Sequence, residues 1–144
     1  MSKNILFVCK HNLFRSRVAE IIFKKLNQNK EYVASSAGLI SWKKKDLRRD
    51  KGFLAENIVG KRFGINLKVK SKAINSSILK KTDLLVIVAD DVPKAIFEHE
   101  KSFTGKVIVW KIRDVKSKDK DKEKVATKTI KFIYEKVKHF VETL

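Results

Sequence analysis

The feature that most constrains this chain is a run of four apolar residues, Ile5-Leu6-Phe7-Val8, that passes through a short polar loop into a helical pattern. An uninterrupted apolar run with β-branched and aromatic members reads as a strand buried on both faces, the habit of parallel sheets. Beyond the loop, Val18, Ile22 and Leu26 recur at four-residue spacing, with Ala19 and Phe23 beside them, as on one face of a helix. Ser16 stands where an N-cap is expected, and Glu20, near the first turn, suits the helix dipole.

The alternation continues along the chain. Tyr32 to Ser36 reads as a second strand, ended by Ala37-Gly38. Lys43 to Lys51 reads as a basic loop or helix start, and Phe53 to Phe63 as a helix closed by Gly64 at its C-cap. Asp83 to Ala89 is the clearest strand. Pro93 can open a helix running to about Lys101, and Lys106 to Trp110 is a fourth strand. Lys116 to Lys124 is a charged loop. Ala126, Ile130, Ile133, Val137, Phe140 and Leu144 then mark a long amphipathic helix packed on the sheet. Strands alternating with helices predict an α/β fold: a three-layer, doubly wound domain with a four-stranded parallel sheet and helices on both faces. One proline and five glycines in 144 residues leave little room for a linker, so a single domain over 1–144 is expected. Ligands of such sheets sit at the carboxyl ends of the strands, where the loops after Val8, Ser36 and Trp110 should meet.

The first of these loops carries the chemistry: Cys9-Lys10-His11-Asn12-Leu13-Phe14-Arg15-Ser16. Between a buried strand and a helix N-terminus, backbone N–H groups converge into a nest for an anion, and the helix dipole adds positive potential. The thiolate of Cys9 is the favoured form there. Arg15 can fold back and pair two oxygens of a phosphate at once, and the Ser16 hydroxyl can donate to the thiolate. Residues Lys10 to Ser16 thus form a candidate phosphate-binding loop. A C-x5-R spacing alone is a weak motif; placed after a buried strand and before a helix it is far more specific. These parts suit nucleophilic attack on phosphorus, given a general acid for the leaving oxygen. No Walker A pattern is present.

Charge and cysteine usage bound the setting. The 34 basic and 16 acidic residues give a net charge of +18, with lysine far outnumbering arginine. Such runs are mostly solvated faces, yet the excess draws anionic partners. With a single cysteine no intramolecular disulfide forms, and a reducing, cytoplasmic setting is expected. The longest strongly apolar run, Leu84 to Ala89, is far short of the roughly 20 residues that span a bilayer. Three scattered histidines and one cysteine show no metal site, and no cofactor is implied. His11 is expected to point outward, and His99 and His139 to lie on the surface.

From Ile5 through Cys9, Asn12, Arg15-Ser16 and Ala19-Glu20, the chain resembles the low-molecular-weight protein tyrosine phosphatases. The resemblance runs on through Ser35-Ser36-Ala37-Gly38, Phe63-Gly64-Ile65, Asp83-Leu84-Leu85-Val86 and Trp110-Lys111-Ile112-Arg113-Asp114 to the closing helix. It implies Cys9 as nucleophile, Arg15 as phosphate clamp and Asp114 as general acid. It implies Asn12, Ser16 and Ser36 as the hydrogen-bond network beneath the loop, and Trp42 as an aromatic wall beside the substrate ring. The chain departs from the family where His11 replaces a glycine, Phe14 a frequent second cysteine, and Val115-Lys116 the usual proline and aromatic.

The implied function is hydrolysis of phosphotyrosine protein or another aryl phosphate monoester through a cysteinyl-phosphate intermediate. A second reading is an arsenate reductase of the same fold that uses an external small thiol, since Cys9 is alone. A third is a non-catalytic module that binds polyanions through the basic stretches Lys43 to Lys51, Lys61 to Lys72 and Lys116 to Lys124. Weak nonspecific polyanion binding can also accompany catalysis. A monomer is expected.

Overall fold

The computed structural model describes residues 2–40, 51–67, 71–116 and 118–144. Nine elements follow in order among them: β1 (Lys3–Cys9), α1 (Arg15–Leu26), β2 (Tyr32–Gly38), α2 (Lys51–Arg62), α3 (Ser76–Lys81), β3 (Leu84–Val88), α4 (Ala95–Glu98), β4 (Lys106–Trp110) and α5 (Lys122–Thr143). The four strands are all parallel in the order β2-β1-β3-β4. β1 is therefore central, and its carboxyl end lies where the strand order reverses.

Each central strand splits its side chains between two cores, as a pleated backbone must. Ile5 and Phe7 of β1, with Val86 and Val88 of β3, face a core shared with α1, α2 and α5. Leu6, Val8, Leu85 and Ile87 face the opposite core, completed by Leu79 of α3 and Phe97 of α4. The three-layer arrangement expected from the sequence is present. The larger core is centred on Phe7, Phe23, Trp110 and Phe140, whose ring centroids lie 5.7–6.4 Å apart in tilted and edge-on pairs. The stripe Ala126, Ile130, Ile133, Val137 and Phe140 of α5 is buried as its period predicts.

Four expectations change. α1 begins at Arg15 with Phe14 in the N-cap position and no side-chain cap, so Ser16 is not the N-cap; its hydroxyl is taken by the loop below. Glu20 lies beyond the first turn and accepts instead from the Ser36 hydroxyl. The helix after Pro93 is only Ala95–Glu98, because the Glu100 carboxylate turns the chain by accepting from Ser102 N at 3.2 Å. α5 starts at Lys122, inside the stretch read as loop, where Asp121 caps it by accepting from Lys124 N at 3.0 Å. The short helix α3, absent from the sequence reading, is capped by Asn75, which accepts from Ile78 N at 2.8 Å. Gly64 holds φ +71°, the left-handed geometry expected after α2.

β2 ends against the first loop. Cys9 pairs in register with Gly38. A Cβ at Gly38 would stand 2.7 Å from both Asn12 N and His11 C, so only glycine lets the loop backbone lie against β2. Two outcomes follow for stability, both read by denaturant unfolding. Phe140→Ala should cost about 3–5 kcal/mol by emptying the aromatic core. Gly38→Ala should cost about 1–3 kcal/mol, because the obstructing atoms are backbone and cannot rotate away.

Candidate active site

The loop from Cys9 to Arg15 closes between β1 and α1 and is shaped by one residue. Asn12 is buried and has φ +56°, alone among the described non-glycine residues in positive φ. Asparagine tolerates this backbone better than most residues. Its side chain then fixes the loop from within: Nδ2 donates to Ser16 Oγ at 2.8 Å and to Ser36 Oγ at 3.0 Å, while Oδ1 accepts from Lys72 N at 3.0 Å. Ser36 Oγ passes its own proton to a short bond with Glu20 Oε1. Arg17 Nε donates to Asn12 O at 2.7 Å, and Ser71 Oγ to His11 O at 2.6 Å. The expected support set Asn12, Ser16 and Ser36 is thus brought together, with Glu20, Arg17 and Ser71 added.

This network presents Cys9. Its Sγ lies 3.0 Å from Ser16 Oγ and accepts from Asn12 N at 3.3 Å. Cys9 is 2% exposed, yet it lines a cavity of about 110 Å3 with His11, Leu13, Arg15, Phe53, Glu56, Asp114 and Val115. Lys10, the remaining loop position, is exposed.

Arg15 is buried to 2% exposure and held from three directions. Its Nη1 donates to Ile112 O at 2.9 Å, and its Nη2 lies 3.1 Å from Asp91 Oδ1 and 3.8 Å from Asp114 Oδ2. Asp90 Oδ1 is 3.6 Å from Nη1. Burial works against the charged guanidinium, but Asp114, Cys9 and Asp91 outweigh it and raise the Arg15 pKa. A buried charge of this kind persists only when so paired.

Asp114 reaches the cavity because its loop is tied down on both sides. Val115 is buried in the larger core. Arg113 Nη2 donates to both oxygens of Asp119 at 2.7 and 2.9 Å, and Lys116 N donates to Asp119 Oδ2 at 2.7 Å. Asp119 is thus a loop clamp and Asp121 a helix cap, while Asp114 alone of the three lines the cavity.

His11 departs from expectation: it is half-buried and lines the cavity rather than pointing outward. Burial, and next the Lys10 ammonium, push its imidazole below the usual range, so it is neutral at neutral pH. His99 and His139 are exposed as expected. Trp42 lies outside the described residues. Three groups escaped the sequence reading: Asp90, Asp91 and Glu56. The first two form an acidic pair just past the carboxyl end of β3, a position that signals a site in a parallel sheet. Glu56 is a charged residue on the stripe that buries Gly52, Ala55, Val59 and Gly60 of α2, where a charge needs a reason.

The family model described as low molecular weight phosphotyrosine protein phosphatase matches residues 4–143. Among solved structures, an arsenate reductase from Archaeoglobus fulgidus is 25% identical, covers 96% of this chain and 98% of its own, and superposes with TM-score 0.67. Vibrio vulnificus Wzb, solved with benzylphosphonate, is 20% identical over 100% of both chains with TM-score 0.71. A low molecular weight protein tyrosine phosphatase from T. tengcongensis is 23% identical over 99% of this chain and 100% of its own, with TM-score 0.66. No curated protein sequence matches significantly. The chain belongs to the low molecular weight phosphotyrosine protein phosphatase family and is a phosphatase.

Proposed function

We propose that this phosphatase hydrolyses phosphotyrosine in proteins, or other aryl phosphate monoesters, with Cys9 as nucleophile, Arg15 as phosphate clamp and Asp114 as general acid. The observation that carries the proposal is their convergence: Cys9 Sγ, held by Asn12 N–H and the Ser16 hydroxyl, shares one small cavity with Arg15 and Asp114. The Cys9 thiolate attacks phosphorus; the S–P bond forms as the bond to the phenolic oxygen breaks, and Asp114 gives that oxygen its proton. Water then attacks the cysteinyl phosphate, losing its proton to Asp114 as the S–P bond breaks. Arg15 turns its fork from the neighbouring carboxylates to two equatorial oxygens, and the loop amides stabilise the same charge.

Leu13, Phe53 and Val115 give the cavity an apolar wall, which favours an aryl leaving group over a sugar or a small alcohol. Phe53 is an aromatic at this wall that the sequence reading did not select. Trp42 is proposed to add a second ring. The buried Val115 keeps Asp114 in place where the family has proline. The net charge of +18 favours approach by phosphorylated, acidic protein segments and weak polyanion binding. No described helix is long and apolar enough to cross a membrane. A cytoplasmic setting, in which a lone thiol stays reduced, fits the mechanism.

Turnover of a small aryl phosphate near pH 6 tests the assignment. Cys9→Ser should abolish it, and Asp114→Asn should lower kcat by about 10²–10⁴-fold. Full activity in Cys9→Ser would remove the mechanism. Arsenite release dependent on an external thiol, with no ester turnover, would replace the proposal by arsenate reduction.

A further inference from the structure

Glu56 is the carboxyl group in the cavity that this mechanism leaves unused. It projects from α2, is 4% exposed, and lines the same cavity as Cys9, Arg15 and Asp114. The Glu56 and Asp114 carboxyls both line this one cavity of about 110 Å3 and interact across it. Glu56 Oε2 has no hydrogen-bond partner among the described residues. Two carboxyl groups can join in a hydrogen bond only when one of them carries a proton. A fully ionised Glu56 here would also leave a buried oxygen and its charge uncompensated, whereas the acid form removes most of that cost.

The charges facing Glu56 come from every side of the cavity. Asp114 approaches from the loop after β4, Arg15 from α1, and Cys9 from the end of β1. His11 lines the cavity from the first loop and is neutral at neutral pH, and Asp90 and Asp91 stand behind Arg15. Burial first, and then the Asp114 carboxylate, push the Glu56 carboxyl well above the usual carboxylate range; Cys9 adds to the rise and Arg15 opposes it.

We propose that Glu56 is a positioning residue which holds a single shared proton with Asp114 and so keeps an acid facing the leaving oxygen through neutral pH. The inference rests on the reaction proposed above. In the first step the pair gives its one proton to the leaving oxygen and becomes doubly ionised. In the second step the attacking water returns a proton to the pair as the S–P bond breaks. Charge and protons balance over the cycle. Two carboxylates this close resist the doubly ionised state, which favours recapture of a proton from water.

The test is the pH dependence of kcat for a small aryl phosphate in wild type and Glu56→Gln. Glutamine matches the shape and can still donate to Asp114, but it carries no shared proton. The basic limb of the profile should move down by about one pH unit or more, giving about tenfold loss near pH 7.5 and little change near pH 5. An unchanged profile, or one lowered equally at every pH, would overturn the proposal. Infrared spectroscopy gives a second readout that needs no variant to be active. Wild type should show the carbonyl band of a protonated carboxyl at neutral pH, and its absence overturns the shared proton even if Glu56→Gln fails to fold. A band in a wild type that turns over no aryl phosphate supports the shared proton and overturns the reaction.

Discussion

The amide of Asn12 can aim at Cys9 Sγ because Asn12 accepts a left-handed backbone, and it can hold that backbone because its side chain is fully used. Three hydrogen bonds from one buried amide tie the first loop to α1, to β2 and to the strand-like segment at Lys72. Ser36 and Glu20 extend the tie from sheet to helix. Without this polar lock the thiol loses its main orienting contacts, since Cys9 itself is a small residue at the end of a strand. Gly38 is the complementary constraint on the other side: the loop has its course only where β2 offers no side chain.

Around the lock the electrostatics run opposite to the chain as a whole. The protein carries +18, yet Asp90, Asp91, Asp114 and Glu56 surround the buried guanidinium of Arg15. The described lysines lie on solvated faces; Lys128, Lys131, Lys136 and Lys138 of α5 are all exposed. Distant charge therefore governs encounter with an anion, while the local carboxylates govern where protons reside once it arrives. Arg15 belongs to both sets. It is held in place by carboxylates that it can exchange for phosphate oxygens of the same geometry.

The strands were legible because burial on both faces leaves no polar position in Ile5–Val8 or Leu84–Val88, and that signal needs no tertiary information. α5 was legible because its stripe persists over six turns. Cys9, Arg15, Asn12 and Ser36 could be named from the motif and the family resemblance, and the structure brings them together. What failed was local polar chemistry with two possible outlets. Ser16 at a helix start signals a cap, but Cys9 Sγ 3.0 Å away competes for the same hydroxyl. Asp114, by contrast, was named from the resemblance, and it lines the cavity while Asp119 is held by Arg113. Helix α3 has six residues and one buried side chain, too few for a period to show. Glu56 was visible only as a charge on an apolar stripe, which needs the helix phase to be recognised.

The central claim is that a phosphoryl group passes through Cys9. Acid quenching of the Asp114→Asn variant during turnover of an aryl phosphate whose phenolate leaves without protonation, followed by peptide mass spectrometry, tests it most directly, because the second step then slows more than the first and the intermediate accumulates. The account predicts a gain of one phosphoryl group on the peptide that contains Cys9, lost on incubation before the quench. A phosphoryl group on any other residue, or steady turnover with none on Cys9, would contradict it.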